Sequence, residues 1–191
     1  MIHKRDTIVL TSRKGDDMPT KYAEGTSVSI ARSRDEIERL LARHKATGFL
    51  YGEQGSRAMI AFELEGRRYR MELKYPQRSE YTWGRKNQYA ESEYRRTPGQ
   101  IEAAYEAEKQ RLWRGLVLLV KGKLEAVASG IATVESELLA YTVMPDGETV
   151  GEWLEPQLNE VYKTGQMPPL LPGANHRKQI GTGVIEGEVI R

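Results

Sequence analysis

The sequence contains no cysteine. That excludes disulfides, thiolate zinc sites, iron–sulfur clusters and cysteine nucleophiles, and it is compatible with a reducing compartment. Long apolar runs are missing too. The longest, Leu116 to Val120, has five residues, whereas a membrane-spanning helix needs roughly 20. Met1 is followed by His3, Lys4, Arg5 and Asp6 with no apolar stretch of leader length behind them, so a cytoplasmic location is expected. Histidine is scarce. His3, His44 and His176 fall in an arm, at a helix end and in a tail, which gives no basis for a histidine metal centre or a triad. His44 reads more simply as a partner for a helix C-terminus. Gly122-Lys123 lacks the glycine spacing of a phosphate loop. Neither a cofactor nor a metal is expected.

What is present is enough for a folded domain. The chain has 191 residues, 39% of them hydrophobic and 29% charged, and a domain of this size hides roughly 70% of its unfolded surface. The net charge is only +2, but it is unevenly placed. Arg67 to Arg96 holds nine Lys or Arg against four Glu, and Leu124 to Glu160 holds eight acidic residues and no Lys or Arg. A basic middle followed by an acidic stretch points to a half that faces a polyanion, or simply to two solvated faces.

The periodicities predict an α+β fold: a β-α-β-β-β antiparallel sheet with a long basic amphipathic helix packed on it, then short C-terminal helices. Residues 1–24 read as a polar arm with a short strand at Thr7–Leu10, residues 25–165 as a single domain, and residues 166–191 as a mostly irregular tail. Within the domain the sheet part spans 25–76, a long loop 77–100 and the helical part 101–165. Thr26–Ala31 alternates like a strand. Ser33 then reads as the N-cap of a helix running to about His44, with Asp35 and Glu36 in its first turn. Thr47–Tyr51 is the next strand, ended by a Gly-Glu-Gln-Gly turn. Ala58–Glu65 and Arg67–Tyr75 form the clearest local signal, two alternating runs joined at Glu65-Gly66. That register places Glu63 opposite Arg68 and Phe62 opposite Tyr69. It sorts Ile60, Phe62, Leu64, Tyr69, Met71, Leu73 and Tyr75 to one face, and Glu63, Glu65, Arg68, Arg70, Glu72 and Lys74 to the other. A helix is expected from Ile101 to Ala128, stopped at Ser129-Gly130. Its cations, Lys109, Arg111, Arg114, Lys121 and Lys123, flank an apolar stripe, which suits a core-facing helix better than a membrane-surface one. Thr133 caps a short helix to about Tyr141. Met144-Pro145-Asp146-Gly147 is a turn, and Thr149 with Glu152 makes a capping box for a last helix that Pro156 bends or restarts before Gly165.

Three chemistries follow from these placements. The first is single-stranded nucleic acid, which asks for cations to meet phosphates and flat rings to stack on bases. Arg68, Arg70 and Lys74 on the hairpin, with Arg85, Lys86, Arg95 and Arg96 after it, supply the cations, and Tyr81, Trp83 and Tyr89 supply the rings. The plain alternative is that Glu63 and Glu65 neutralise Arg68 and its neighbours across the strands. The second is a protein partner, from host or phage, held by the acidic 124–160 region. The third is a metal-dependent nuclease: Glu72-Leu73-Lys74 spells Glu-x-Lys, with Glu63 on the same face, in an element order like that of restriction-like nucleases. There the usual Pro-Asp is absent, and Arg68 and Arg70 would crowd a metal with positive charge.

The segments SVSIARSRDEIERLLARH, RAMIAFELEGRRYRMELKYP, KGKLEAVASGIATVESELLAY and MPDGETVGEWLEPQLNEVYKTGQMPPLLPG resemble an uncharacterised family of small bacteriophage and prophage proteins. This resemblance brings no known activity and no functional residues. It implies a phage-type setting, in which small accessory proteins act on DNA, on recombination or on host machinery. A weaker similarity, of element order alone, is to phage single-strand annealing proteins. The resulting expectation is a non-catalytic nucleic-acid-binding accessory protein, with single-stranded DNA as ligand in recombination or replication.

Overall fold

The computed structural model describes residues 22–85 and 92–166. The expected arm strand at Thr7–Leu10, and the tail beyond Gln166, lie outside the described residues. The elements in order are helix α1 (Ile30–Arg43), strands β1 (Thr47–Gln54), β2 (Arg57–Leu64) and β3 (Arg67–Lys74), a 3-10 turn Arg78–Tyr81, and strands β4 (Trp83–Arg85) and β5 (Glu93–Arg95). Helices α2 (Pro98–Ala128) and α3 (Val134–Leu138), a 3-10 turn Leu139–Tyr141 and helix α4 (Val150–Thr164) complete the elements of the described residues. The fold is α+β, with β1, β2 and β3 in that order in an antiparallel sheet and β4 with β5 as a separate ribbon. Two compact units divide the chain, the first Met1–Leu40, Gly55–Arg57 and Leu73–Lys121, the second Leu41–Gln54, Ala58–Glu72 and Gly122–Arg191.

The β2–β3 hairpin forms as its alternation dictates. Glu65 and Gly66 have φ of 51° and 74°, the pair of positive values that a type I′ hairpin turn requires. Tyr75 donates its N–H to the Ser56 carbonyl at 2.7 Å, which fixes the expected register at the far end. The rings of Phe62 and Tyr69 lie 5.6 Å apart. Ala58, Ile60, Phe62, Leu64, Tyr69, Met71 and Tyr75 are buried, and Glu63, Glu65, Arg68, Glu72 and Lys74 are exposed.

Several local expectations are corrected. Thr26–Ser29 forms no strand; α1 starts at Ile30, and its cap is Ser29, whose Oγ accepts the Arg32 N–H at 3.3 Å. Ser33 lies within the helix, buried, with its hydroxyl donating back to the Ser29 carbonyl. The first turn of α1 therefore carries no acid. β1 runs on through Gly52-Glu53-Gln54, and the chain reverses at Gly55-Ser56 instead. The 77–100 segment is not one loop, since it holds the 3-10 turn and the β4–β5 ribbon. α2 begins three residues early, because Thr97 caps it: the Gln100 N–H bonds the Thr97 hydroxyl and the Gln100 side chain accepts the Thr97 N–H. Pro98 then occupies the first helical position.

In the first unit the core is Ile37, Leu40, Tyr75, Tyr105, Trp113, Leu116, Val117 and Val120. Trp113 is completely buried and donates its indole N–H to the Tyr75 hydroxyl at 2.8 Å. In the second unit the buried hairpin face is joined by Leu41, Leu124, Val134 and Leu138. A Schellman motif ends α2 there, with Ile131 N–H bonding the Ala126 carbonyl, Gly130 N–H the Val127 carbonyl, and Gly130 at φ 71°. The segment after the 3-10 turn lies on the free edge of β3, with Val143 N–H donating to the Arg68 carbonyl at 2.8 Å and Thr142 bridging Tyr69. It turns at Gly147 and returns to Thr149, which caps α4 in a reciprocal box with Glu152. α4 runs unbroken through Pro156 to Gly165. Pro156 is exposed, so water can reach the Glu152 carbonyl that a proline leaves without its helical donor.

Candidate nucleic-acid interface

Of the expected site residues, Trp83, Arg85 and Arg95 lie on the β4–β5 ribbon of the first unit, and Arg96 follows directly after it. Trp83 stands opposite Arg95, Gly84 opposite Tyr94 and Arg85 opposite Glu93. Strand alternation then puts Trp83, Arg85, Glu93 and Arg95 on one face, and Gly84 with Tyr94 on the other. Trp83 is 57% exposed. The Arg95 side chain is exposed and has no partner among the described residues. Arg85 is paired with Glu93, at 3.0 Å. Arg96 folds back over Gly84 and donates to the carbonyls of Tyr81 and Trp83 at 3.2 and 3.0 Å. A Cβ at position 84 would stand 2.6 Å from Arg96 Nε, so glycine is what lets that guanidinium lie flat on the ribbon. Arg96 thus braces the strands.

Tyr81 is half-buried and meets the Tyr105 ring edge-on at 6.3 Å. Burial, then the nearby Glu108, pushes its hydroxyl above the ordinary tyrosine range. Lys74 is exposed, without a partner among the described residues. Lys86 and Tyr89 lie outside the described residues.

In the second unit Arg68 and Arg70 project from the polar face of the hairpin and have different fates. Arg70 donates Nη1 to the Gly147 carbonyl at 2.7 Å and Nη2 to Glu152 Oε2 at 2.6 Å, and its Nε lies 3.2 Å from Glu72 Oε1. The Thr149 backbone N–H, with the Thr149 hydroxyl and the Arg70 guanidinium behind it, holds the Glu152 carboxyl below its usual range against the opposing effect of burial. Arg68 stays exposed, and the ion pair expected with Glu63 is not formed. Neither side chain has a partner among the described residues. Glu72 is held by Arg70, and no group of three His, Asp or Glu suited to a metal occurs among the described residues.

The acidic segment is partly tied up as well. Glu135 pairs with Arg67 at 3.7 Å, Glu137 with Lys123 at 3.2 Å, and Glu152 with Arg70. α4 has no buried residue, and Leu158 and Tyr162 stand out from it, the tyrosine 87% exposed. Among the described residues no helix is long and apolar enough to cross a membrane.

Sequence reasoning missed the ribbon itself, because a three-residue strand shows no period. It also missed the part played by Gly84, whose signal is the arginine two residues past its cross-strand partner. No family model, curated protein or solved structure matches the chain.

Proposed function

We propose that this protein is a non-catalytic nucleic-acid-binding accessory protein that takes single-stranded DNA on the β4–β5 ribbon. The observation that carries this reading is the exposed Trp83 ring directly opposite the unpaired Arg95. A solvent-facing indole beside a free guanidinium offers a base its stacking surface and the next phosphate its counter-charge. Arg85 flanks them, and Lys74, in the same unit, is another described cation that keeps its charge free. A phage setting for this role rests on the family resemblance of the quoted segments.

The test is filter binding of an oligothymidylate to the full chain and to Trp83→Ala and Arg95→Gln. One stacked base is worth roughly 1–3 kcal/mol, so Trp83→Ala is expected to weaken binding about 5- to 150-fold. An unchanged affinity in both variants, or no binding by the full chain, overturns the reading.

A second reading, a protein-interaction module, is favoured by one feature of the acidic half: Leu158 and Tyr162 lie one turn apart on α4, both exposed, with Glu155 near them. It predicts a partner captured after nuclease treatment by the full chain and lost with Leu158→Ser/Tyr162→Ser. A nuclease using Glu63, Glu72 and Lys74 is the weakest reading, since Arg70 already occupies Glu72.

A further inference from the structure

A hollow of ≈ 310 Å³ opens on the polar face of the β2–β3 hairpin. Its origin is a run of small residues. Ala61, opposite Arg70 in the register, contributes only a methyl group, and Gly48 on β1 and Gly147 in the 143–149 turn contribute no side chain. Val143, hydrogen-bonded to the edge of β3, closes one wall. Glu63 and Arg68 stand at the hollow from opposite strands. They face each other in the register, yet each lacks a partner among the described residues. Opposite charges directly across a hairpin ordinarily attract each other, so two that line a hollow without pairing leave both a donor set and an acceptor set open. The third charge at the hollow, Arg70, is already neutralised and fixed by Glu152, Glu72 and the Gly147 carbonyl.

The charge that remains for a ligand is therefore one carboxylate and one guanidinium, with a net of zero. A phosphate or a nucleotide would meet Glu63 as a repulsion, and a simple amine would meet Arg68 as one. A molecule bearing both signs on neighbouring atoms satisfies both walls. The volume sits at the small end of the about 300–1,000 Å³ usual for ligand pockets, which suits a single small metabolite. We propose that this hollow binds a free α-amino acid with a small aliphatic side chain. Its carboxylate lies on the Arg68 guanidinium, where a planar two-oxygen acceptor matches the fork of donors. Its ammonium lies on the Glu63 carboxylate, and its hydrocarbon lies over Ala61 and Val143.

The site is separate from the ribbon of the first unit, so the two can fail independently. The experiment is calorimetric titration of the full chain with glycine, L-alanine, L-valine and L-leucine. 4-Methylpentanoate, 3-methylbutylamine and guanosine 5′-monophosphate serve as carboxylate-only, ammonium-only and anionic arms. At least one of the four amino acids is expected to bind with a dissociation constant on the order of 1 mM or tighter. The three control molecules are expected to bind at least about tenfold more weakly, a loss equivalent to about 1.4 kcal/mol. Glu63→Gln and Arg68→Gln are both at exposed positions and should fold. Each is expected to weaken the amino acid about tenfold or more, while Trp83→Ala leaves it unchanged. Absence of binding by all four amino acids overturns the proposal. So does binding that survives both substitutions, or tighter binding of the nucleotide.

Discussion

Removing one oxygen atom from the core of the first unit makes a sharp test of its packing. Trp113 is wholly buried, and its indole N–H, a group that can only donate, has the Tyr75 hydroxyl as its acceptor at 2.8 Å. Tyr75→Phe deletes that acceptor while keeping the ring, and the Lys109 ammonium still finds an aromatic face at the position where it now lies 4.9 Å from the centroid. The loss is then essentially the desolvation cost of a stranded buried N–H, about 1–3 kcal/mol. With a urea m-value of roughly 2–3 kcal/mol/M, the unfolding midpoint should fall by about 0.3–1.5 M. Trp113→Ala, which empties the site, should cost more, about 3–5 kcal/mol. Tyr81→Phe is the internal control: the residue type and the unit are the same, but the residue is only half-buried, so the expected shift is within about 0.5 kcal/mol. Tryptophan fluorescence follows the melts. A Tyr75→Phe midpoint equal to that of the unsubstituted chain would show that the indole N–H does not depend on this acceptor, and would refute the reasoning.

The second unit supplies two further tests. A Cβ at Gly151 would come within 2.8 Å of the Ala140 carbonyl oxygen, a backbone atom that cannot swing away. Gly151→Ala should therefore destabilise by about 1–3 kcal/mol, even though alanine gains up to about 1 kcal/mol over glycine in a helix interior; a raised melting temperature would contradict the contact. Glu152 is held below its usual range first by the Thr149 backbone N–H. A carboxyl depressed in the folded state adds stability above its unfolded pKa and loses it as the pH falls through the folded value. Stability measured by denaturant should thus drop as the pH is lowered from about 5 towards 3, and Glu152→Gln should flatten that drop. The effect is modest because the side chain is nearly half exposed, and identical profiles for the two chains would rule it out.

The parts of the fold that could be read in advance are those whose signals are local. The hairpin turn needs positive φ at two successive residues, and Glu65-Gly66 between two alternating runs says so. Thr149 and Glu152 are three residues apart, so their box is visible as letters. Thr97-Pro98-Gly99-Gln100 carried an equally local signal for the start of α2, but the apolar period begins only at Ile101 and drew the boundary there. Thr26–Ala31 misled for a physical reason. Val28 and Ile30 alternate with serines, yet Ser29 is itself a helix cap, and a hydroxyl bonded to the Arg32 N–H outweighs β-propensity over so short a run. β4 and β5 are held by pairing across a gap of seven residues, not by any pattern within Trp83-Gly84-Arg85 or Glu93-Tyr94-Arg95. The Glu63–Arg68 pair was correctly placed face to face, but whether two such charges bond depends on neighbours that the pairing rule does not contain. Gly48 and Gly147 are distant in sequence and leave them room.

The same distinction sets what the nucleic-acid reading must deliver in numbers. The basic middle offers seven cations as phosphate ligands: Arg68, Arg70, Lys74, Arg85, Lys86, Arg95 and Arg96. At about −0.7 per neutralised phosphate for single strands, seven contacts give a log–log salt slope of about −5. Charge that is already bonded inside the fold contributes little counterion release when DNA arrives. Arg70 is held by Glu152, Glu72 and the Gly147 carbonyl, Arg85 by Glu93, and Arg96 by two ribbon carbonyls. Arg68 faces Glu63, which would repel a phosphate there, so the described cations left over are Lys74 and Arg95. With Lys86, which lies outside the described residues, three contacts give a slope of about −2. Raising the salt from 50 to 200 mM should then weaken binding by about 20-fold, against about 1,000-fold for the full set. Filter binding over that range separates the two. A slope near −2 that falls further in Arg95→Gln fits a ribbon contact with most of the basic middle turned inward. A slope near −5 would mean that the internal pairs open on binding, and a slope of zero would remove nucleic acid as the ligand.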